Sequence, residues 1–585
     1  MRLSFPLLVS LAVALALRLA LLWTLAPYPR FELMRNQLDD QFFVDVWAKT
    51  IVAGHAFETS DVPPYFADEL QQAPVFPRPP LYPYFLALVY RCVGVRYDVV
   101  RLLQLLADVA TVGFIYAIAW RYFSRPAAGA AALLAALYGP FVFYSAAFLT
   151  TSLAICFAAA SLFCLTRCLP PRRGMLLLSG AVLGTGVLLR AESALFAVVG
   201  IAWCVRRAPV RRTALTWLLV GLSIPLLPVI ARNSLRSGRP AFVAANGPYN
   251  FFLGNVHDAS GDVPAHTATY TAVKQESAGR PVDYLGAALR DIRQHPGAYL
   301  RLQLRKLRLF YSGYEIPNNL NYYLARRLNP VLRGVPLQFH MLCPLAVLGL
   351  VIAVARRAPC GLLYGFIAAT TLATVLFFVV SRLRQPVVVA LLVFAGVALA
   401  WWWEQWQSRR FGRLAGTVAA VVLLALWLTP RPFIRTTDYA IAAAAYYTVG
   451  QDFEALGAEA EAQQAYIRAL VLNPAHRPAL QHLTALRERQ GLGQAAPADL
   501  PEVAARCAEA RSLAAAQRYD EAVAVLRDTI ARAPGSVVAY QYLSNVYFLM
   551  GDRRAAAAAL EEAVALAPLN PVIRDNLRAL RESPP

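Results

Sequence analysis

The chain has 585 residues, 58% of them hydrophobic and 16% charged, with a mean hydropathy of +0.46. A soluble domain does not have this composition, whereas a helical membrane protein with several spans does. A net charge of +21 fits either nucleic acid or an anionic membrane until the cations are located, while the eight cysteines, mostly inside apolar runs and without a CxxC pair, argue against a disulfide framework or a zinc site.

The first apolar run, 6–25, contains Arg18 and has no A-x-A cleavage signature, so it is read as a retained span, although an uncleaved signal anchor looks much the same. It is followed by "RNQLDDQFFVDVW" (35–47), which carries Asp39, Asp40 and Asp45 among aromatics. Residues 79–95, "PPLYPYFLALVYRCVGV", are apolar but short and open with prolines, and are expected to form an interfacial or re-entrant helix. Six further runs follow at 98–120, 127–147, 149–166, 174–190, 192–205 and 213–231, then a large loop at 232–336, then runs at 337–355, 359–380, 385–403 and 412–429. That makes about eleven spans. With the N-terminus inside, every arginine cluster after an even span (Arg121/Arg125, Arg167/Arg172/Arg173, Arg206/Arg207/Arg211/Arg212, Arg356/Arg357, Arg409/Arg410/Arg413) faces the cytoplasm, so topology accounts for much of the charge and nucleic acid is not needed. The outer face then holds loops 26–97 and 232–336 and everything after 429. Arg382 and Arg384, in "SRLRQP", break the pattern.

After residue 430 the composition turns rich in Ala, Glu, Arg and Gln with helical periodicity. Pro534 and Pro568 are 34 residues apart, as are Ala522 and Ala556. Tyr540, Leu543, Ser544, Tyr547, Ala556, Ala563 and Pro568 fall on the tetratricopeptide pattern, as do Tyr446, Val449, Gly450, Phe453, Ala462, Ala469 and Pro474. The expected architecture is all-α: a polytopic membrane bundle over 1–430 and an α-solenoid of tetratricopeptide repeats over 431–585, on the extracytoplasmic side by span parity. The alternative for the tail is an Ala-rich helical bundle.

Charged groups at span ends on the outer side are site candidates, because burying charge at membrane depth is costly. They are Asp39 and Asp40; Arg78 before "PPLYP", with Tyr82 behind it; Arg190 and Glu192 between spans five and six; Asn250 in a Gly-rich loop; Lys306, Glu315, Asn318 and Asn319; and Arg382 and Arg384. A carboxylate can serve as general base on an acceptor, and arginines can hold a phosphate leaving group. Plainer readings stand beside these: Asp39 or Asp40 as a helix cap, Arg78 as an interfacial anchor, Arg190 paired with Glu192, Glu315 and the asparagines as turn residues. His257 and His266 flank Asp258 and Asp262 at irregular spacing that does not predict zinc.

"LDDQFFVDVWAKTIVAGH", "RPPLYPYFLALVYRCVG", "RLLQLLADVATVGFIYAIAWRYF", "LYGPFVFYSAAFLTTSL", "RNSLRSGRPAFVAANGPYNFFLGN", "YEIPNNLNYY" and "SRLRQPVVVALLVFAG", in this order over about residues 1–430, resemble GT-C glycosyltransferases, the polyprenyl-phosphate-sugar-dependent enzymes related to protein O-mannosyltransferases and the lipid A aminoarabinose transferase. The resemblance implies an integral enzyme of a bacterial inner membrane that moves a hexosyl or pentosyl group, with inversion, from a polyprenyl-phosphate donor to a glycan, lipid or protein. It places the catalytic acid in the first outer loop, about seven residues before Trp-Ala. Asp40 lies seven before Trp47 and Asp39 eight, so Asp40 is favoured and Asp39 stays open. Arg78 and Arg382 or Arg384 match the family's phosphate-contacting arginines, and Lys306 and Glu315 fall in its outer-loop stretch. Relatives often carry an acid in the turn after span three; here it reads Tyr144, Ser145, Ala146, Ala147, so no obligatory metal or other cofactor is expected. The expected partners are membrane lipid, the polyprenyl-phosphate sugar and a protein on the repeats. A non-catalytic envelope scaffold and a lipid-linked-sugar transporter are the other classes; a transporter would show repeated spans and charges near the midplane, neither of which is present.

Overall fold

The computed structural model describes residues 4–25, 40–55, 75–168, 170–263, 267–277, 280–318, 320–429, 436–455, 457–472, 476–489, 499–532, 536–566, 573, 576–578 and 580. Asp39, Asn319, His266, Pro474, Pro534 and Pro568 lie outside them. Regular structure among the described residues is helical, apart from one isolated bridge between Tyr138 and Leu337. The chain divides into two compact units, one holding the described residues up to 429 and the other those from 436.

The first unit opens with α1 (Phe5–Leu25), α2 (Asp40–Val52), α3 (Leu81–Val93) and α4 (Tyr97–Tyr122). It continues with α5 (Arg125–Ala136), α6 (Gly139–Ala146), α7 (Thr151–Arg167), α8 (Arg173–Leu189), α9 (Ser193–Arg207) and α10 (Arg211–Ser237). Short helices α11 (Gly247–Asn255), α12 (Ala268–Glu276), α13 (Tyr284–Gln294), α14 (Pro296–Phe310), α15 (Tyr322–Leu328) and α16 (Pro330–Gly334) make up the large loop. The unit closes with α17 (Phe339–Ala355), α18 (Gly361–Val375), α19 (Ser381–Gln407) and α20 (Phe411–Trp427). By length and composition α1, α4, α10 and α19 can each cross a bilayer, and α3, α7, α8, α17, α18 and α20 are shorter apolar helices. At 1.5 Å per residue α3 reaches only about 20 Å, too short for a hydrocarbon core of about 30 Å.

One expected span is not a single helix. Residues 127–147 break between α5 and α6, and the cause is Pro140, which has no N–H for the carbonyl of Ala136 and whose ring crowds it. The freed carbonyl finds another donor: Arg18 Nη1 reaches Ala136 O at 2.5 Å, while Arg18 pairs with Asp108 at 2.7 Å. Both side chains are buried, so an intramembrane cation, its counter-ion and a broken backbone satisfy one another. Arg18 is thus a brace for the bundle. The other ten expected spans each coincide with one helix.

The axis of the unit is α19. Val387, Val388, Val389, Ala390, Leu392, Val393, Phe394 and Ala395 are all fully buried, so it is covered on every side, whereas α20 buries no residue. A helix apolar all round is either enclosed or lipid-facing, and these two are one of each. Helices α8 and α10 pack closely through Gly180, Gly184 and Gly221. A Cβ on Gly180 would lie 2.2 Å from the carbonyl oxygen of Leu218, and one on Gly221 2.1 Å from that of Leu177. Gly180 and Gly184 are spaced as in the small-residue pairs that join membrane helices.

The second unit comprises α21 (Thr436–Ala455), α22 (Glu459–Leu472), α23 (Arg477–Arg489), α24 (Asp499–Ala515), α25 (Tyr519–Arg532), α26 (Val537–Leu549) and α27 (Arg553–Leu566). Consecutive helices pack on one another within 436–489 and within 499–566, as in a solenoid. Pattern residues Ala462, Ala469, Ala522, Ala556 and Ala563 are fully buried at the crossings, and Gly450 lies under the Tyr466 ring, where a Cβ would come within 2.4 Å.

Candidate active site

Asp40 opens α2, where a carboxylate is favoured by the helix dipole. Its Oδ1 meets Arg78 Nη1 at 2.5 Å and its Oδ2 meets Arg382 Nη2 at 2.6 Å. The three side chains retain 12%, 18% and 19% of their exposure, so the cluster is reached from solvent but mostly walled. One carboxylate therefore lies between two guanidiniums.

Each cation is aimed by local backbone structure. Before Arg78, the carbonyls of Phe76 and Pro77 accept from the N–H groups of Ala245 (2.9 Å) and Asn246 (3.1 Å), and Phe76 N donates to Asn233 Oδ1 at 3.3 Å. The Arg78 guanidinium lies 4.7 Å over the Phe43 ring. Before Arg382, Val379 N donates to Gly261 O and Ser381 N to Ile316 O, at 3.0 and 2.9 Å. Asn318, with its amide oxygen towards the guanidinium, accepts from Arg382 Nη2 and Nε at 2.8 and 3.0 Å. Arg382 stands in the first turn of the central helix, where the dipole disfavours a cation, so Asp40 and Asn318 hold it against the local field.

Arg384 and Glu315 form a separate, fully enclosed layer. Arg384 Nη2 pairs with Glu315 Oε1 at 2.8 Å and its guanidinium also donates to the carbonyls of Phe310, Ser312 and Tyr314. Glu315 Oε2 accepts from Ser381 Oγ and, at 3.2 Å, from Gln385 Nε2. Arg384, expected as a phosphate ligand, therefore works as a brace that fixes the residues on either side of Arg382. Tyr144 meets Ser381 Oγ at 3.1 Å from the turn where an acid was absent. Arg190 is a second brace. It donates to the backbone carbonyl of Arg382 at 2.9 Å and to Thr151 Oγ1 at 3.0 Å, and no ion pair joins it to Glu192 among the described residues.

Lys306 is not brought to Asp40. It is buried in α14 with Asn255 Oδ1 at 2.9 Å as its partner, and Gln303 shares that oxygen at 2.8 Å. Burial without a carboxylate pushes the Lys306 ammonium down to about 7. Tyr82 is buried and donates to Gln104 Oε1 at 2.6 Å, and Gln104 in turn holds the carbonyl of Ala147 at 2.8 Å. Tyr82 thereby ties α3 to α4. Asn250 is half-buried in the first turn of α11 and makes no side-chain hydrogen bond among the described residues. Asp45 accepts from Tyr90 at 2.7 Å and Lys49 at 2.6 Å, a structural role. Next to Arg382, a small cleft of about 40 Å³ is lined by Phe157, Leu183, Glu192, Phe366, Leu383 and Pro386, with Arg190 on its wall.

Residues 77–231 match the family described as dolichyl-phosphate-mannose-protein mannosyltransferase, and residues 513–580 match the tetratricopeptide repeat. Comparison with curated proteins gives no match. Similar solved structures include the Archaeoglobus fulgidus oligosaccharyltransferase in its apo form, at 13% identity over 72% of this chain and 55% of that one (TM-score 0.39), and the same enzyme tethered to an acceptor peptide, at 14% over 72% and 54% (TM-score 0.38). ArnT from Cupriavidus metallidurans bound to undecaprenyl phosphate matches at 15% identity over 86% of this chain and 80% of that one (TM-score 0.39). The chain spans about half the length of the oligosaccharyltransferases it resembles. It is a helical membrane protein that resembles GT-C glycosyltransferases, with the mannosyltransferase family's pattern over 77–231 and a tetratricopeptide repeat over 513–580.

Proposed function

We propose that the chain is a membrane glycosyltransferase that moves a sugar from a polyprenyl-phosphate donor to an acceptor on the extracytoplasmic side of a bacterial inner membrane, with inversion. The observation that carries this reading is the Asp40–Arg78–Arg382 cluster, in which three chain segments bring a carboxylate and two guanidiniums together. The acceptor hydroxyl or amine attacks the anomeric carbon and gives its proton to Asp40. The bond from that carbon to the phosphate oxygen breaks, and its electron pair leaves with the polyprenyl phosphate. A guanidinium is a planar fork of donors that matches a phosphate, so Arg78 and Arg382 can turn to the phosphate as its charge grows. No metal is needed for these steps. Leu88 of α3, 64% exposed, offers an apolar contact for the prenyl chain.

The arginine clusters support the sidedness, since they fall on the loops opposite Asp40. By the same parity the tetratricopeptide unit lies outside the cytoplasm, where its solenoid would hold a protein partner. The test is transfer from a radiolabelled polyprenyl-phosphate sugar by the purified full chain. Wild type transfers label and Asp40→Asn, inserted equally well, does not; an Asp40→Asn protein with wild-type turnover would end the catalytic assignment. Sidedness is read separately by labelling single cysteines placed after residue 436, which impermeant reagents reach in intact spheroplasts if that unit is outside.

A further inference from the structure

The large outer loop brings together two histidines and an aspartate that are far apart in the sequence. His257 follows α11, Asp291 lies in the last turn of α13, and His295 stands at the junction of α13 and α14, four residues on, where a helix places it on the same face. His257 Nδ1 is 2.8 Å and His295 Nδ1 3.4 Å from the same oxygen, Asp291 Oδ1. The two rings lie 4.3 Å apart between centroids, tilted by 32°. The other oxygen, Asp291 Oδ2, is held by the backbone N–H of His257 at 2.7 Å. Among the described residues no lysine or arginine pairs with Asp291. One ligand atom from each side chain can be chosen so that all three lie within 4.8 Å of one another.

We propose that His257, Asp291 and His295 form a binding site for a divalent first-row transition metal of the Zn²⁺ class. Two imidazoles and one carboxylate are a donor set that such ions take and that Mg²⁺ and Ca²⁺ do not prefer. Ligand atoms around a tetrahedral Zn²⁺, with bonds of about 2.1 Å, lie roughly 3.4 Å apart. The two N···O distances already fall near that value, so small side-chain rotations suffice. The backbone bond to Oδ2 supplies the outer support that fixes a ligating carboxylate. The imidazoles are 40% and 44% exposed and the carboxylate 10%, so an ion can enter from solvent and keep a water as fourth ligand.

Such an ion would join the end of α11 to the start of α14. The Lys306–Asn255 bond already links these helices. The residues leading into α11 pair with Phe76 and Pro77, next to Arg78. The metal is therefore a clamp on the scaffold of Arg78 and takes no part in transfer, and the inference does not depend on the transfer reaction.

The test uses the full chain carrying an affinity tag without histidines, stripped with a chelator, in detergent. Competition with a chromogenic chelator should show one tight equivalent of Zn²⁺. Co²⁺ added instead should give visible bands of a low-coordinate site. His257→Gln with His295→Gln keeps polar groups beside Asp291 but removes both nitrogen ligands, and should lose the equivalent and the bands. Asp291→Asn should weaken Zn²⁺ binding at least 10-fold. His476→Gln with His482→Gln, in the other unit, should retain both. If stripped wild type takes up no more Zn²⁺ than the His257/His295 variant, the cluster is a hydrogen-bonded histidine pair and the proposal is wrong. Thermal stability gives an independent readout: Zn²⁺ should raise the Tm of wild type and leave that of the double variant unchanged, and equal shifts would overturn the site even if the variants were less stable.

Discussion

Glu315→Gln tests how the site is held in place. The substitution keeps an acceptor for Ser381 Oγ but removes the negative charge facing Arg384, whose side chain is 2% exposed. Removing one partner of a buried pair costs about 3–5 kcal/mol, because the other charge stays buried and uncompensated. The carbonyls of Phe310, Ser312 and Tyr314 still solvate Arg384, which favours the lower end, ~3 kcal/mol, or roughly 150-fold in an unfolding equilibrium. Membrane proteins often unfold irreversibly, so the assay is the half-time of thermal inactivation in detergent, with urea titration where it reverses. The double variant Glu315→Gln with Arg384→Met buries no charge and should recover part of the loss, the carbonyls of Phe310, Ser312 and Tyr314 then lacking their donor, so the cycle still gives a measurable coupling term. Because Ser381 and Arg384 flank Arg382, the single variant should also raise KM for the donor. A Glu315→Gln protein as stable as wild type, with unchanged KM, would refute the view that this layer positions Arg382.

Other consequences can be measured on the same preparations. Gly180→Leu should separate α8 from α10, because its Cβ would lie 2.2 Å from the Leu218 carbonyl oxygen; a loss of at least 2 kcal/mol (about; from overpacking costs) or failed insertion is expected, and wild-type melting would contradict the close contact. Arg18→Met should cost about 3 kcal/mol by leaving Asp108 unpaired, and adding Asp108→Leu should recover only part of it, because the Ala136 carbonyl still lacks a donor; full recovery would show that the carbonyl contact contributes nothing. For Lys306 the folded group titrates near 7, against 10.5 for the free side chain. Between those values the unfolded chain binds the extra proton, so stability should rise with pH, by at most ~1.4 kcal/mol per pH unit, and Lys306→Met should flatten the slope. A slope that Lys306→Met leaves unchanged would show that this lysine is not its source.

Much of this architecture is visible in the sequence because hydropathy and arginine placement are local signals. They mark the helices and the short α3, and they are the basis for proposing an outer position for Asp40, Arg78 and Arg382. The break at 137–138 could have been seen as well, since Pro140 and Arg18 are both visible, but only the fold shows that Arg18 reaches the carbonyl Pro140 leaves free. Roles depending on contacts between separate segments of the chain were not legible. Arg382 and Arg384 look equivalent in "SRLRQP", yet a helix turns residues two apart in different directions, one to Asp40 and the other to Glu315. Asn255, Ser381 and Gln104 are ordinary polar residues in sequence, and only burial against backbone carbonyls and charged partners identifies them. His257 next to Asp258 gave a misleading neighbour, because its partners Asp291 and His295 arrive from α13.

The central claim is that Asp40 handles the acceptor proton while Arg78 and Arg382 hold the phosphate. Its most direct test is to measure polyprenyl-phosphate binding and sugar transfer together on Asp40→Asn, Arg78→Ala and Arg382→Ala, each in the full chain. The account predicts a split: Asp40→Asn binds the lipid phosphate at least as tightly as wild type but does not transfer, and both arginine variants lose binding and transfer together. Unchanged phosphate binding in both arginine variants, or transfer by Asp40→Asn, would contradict it.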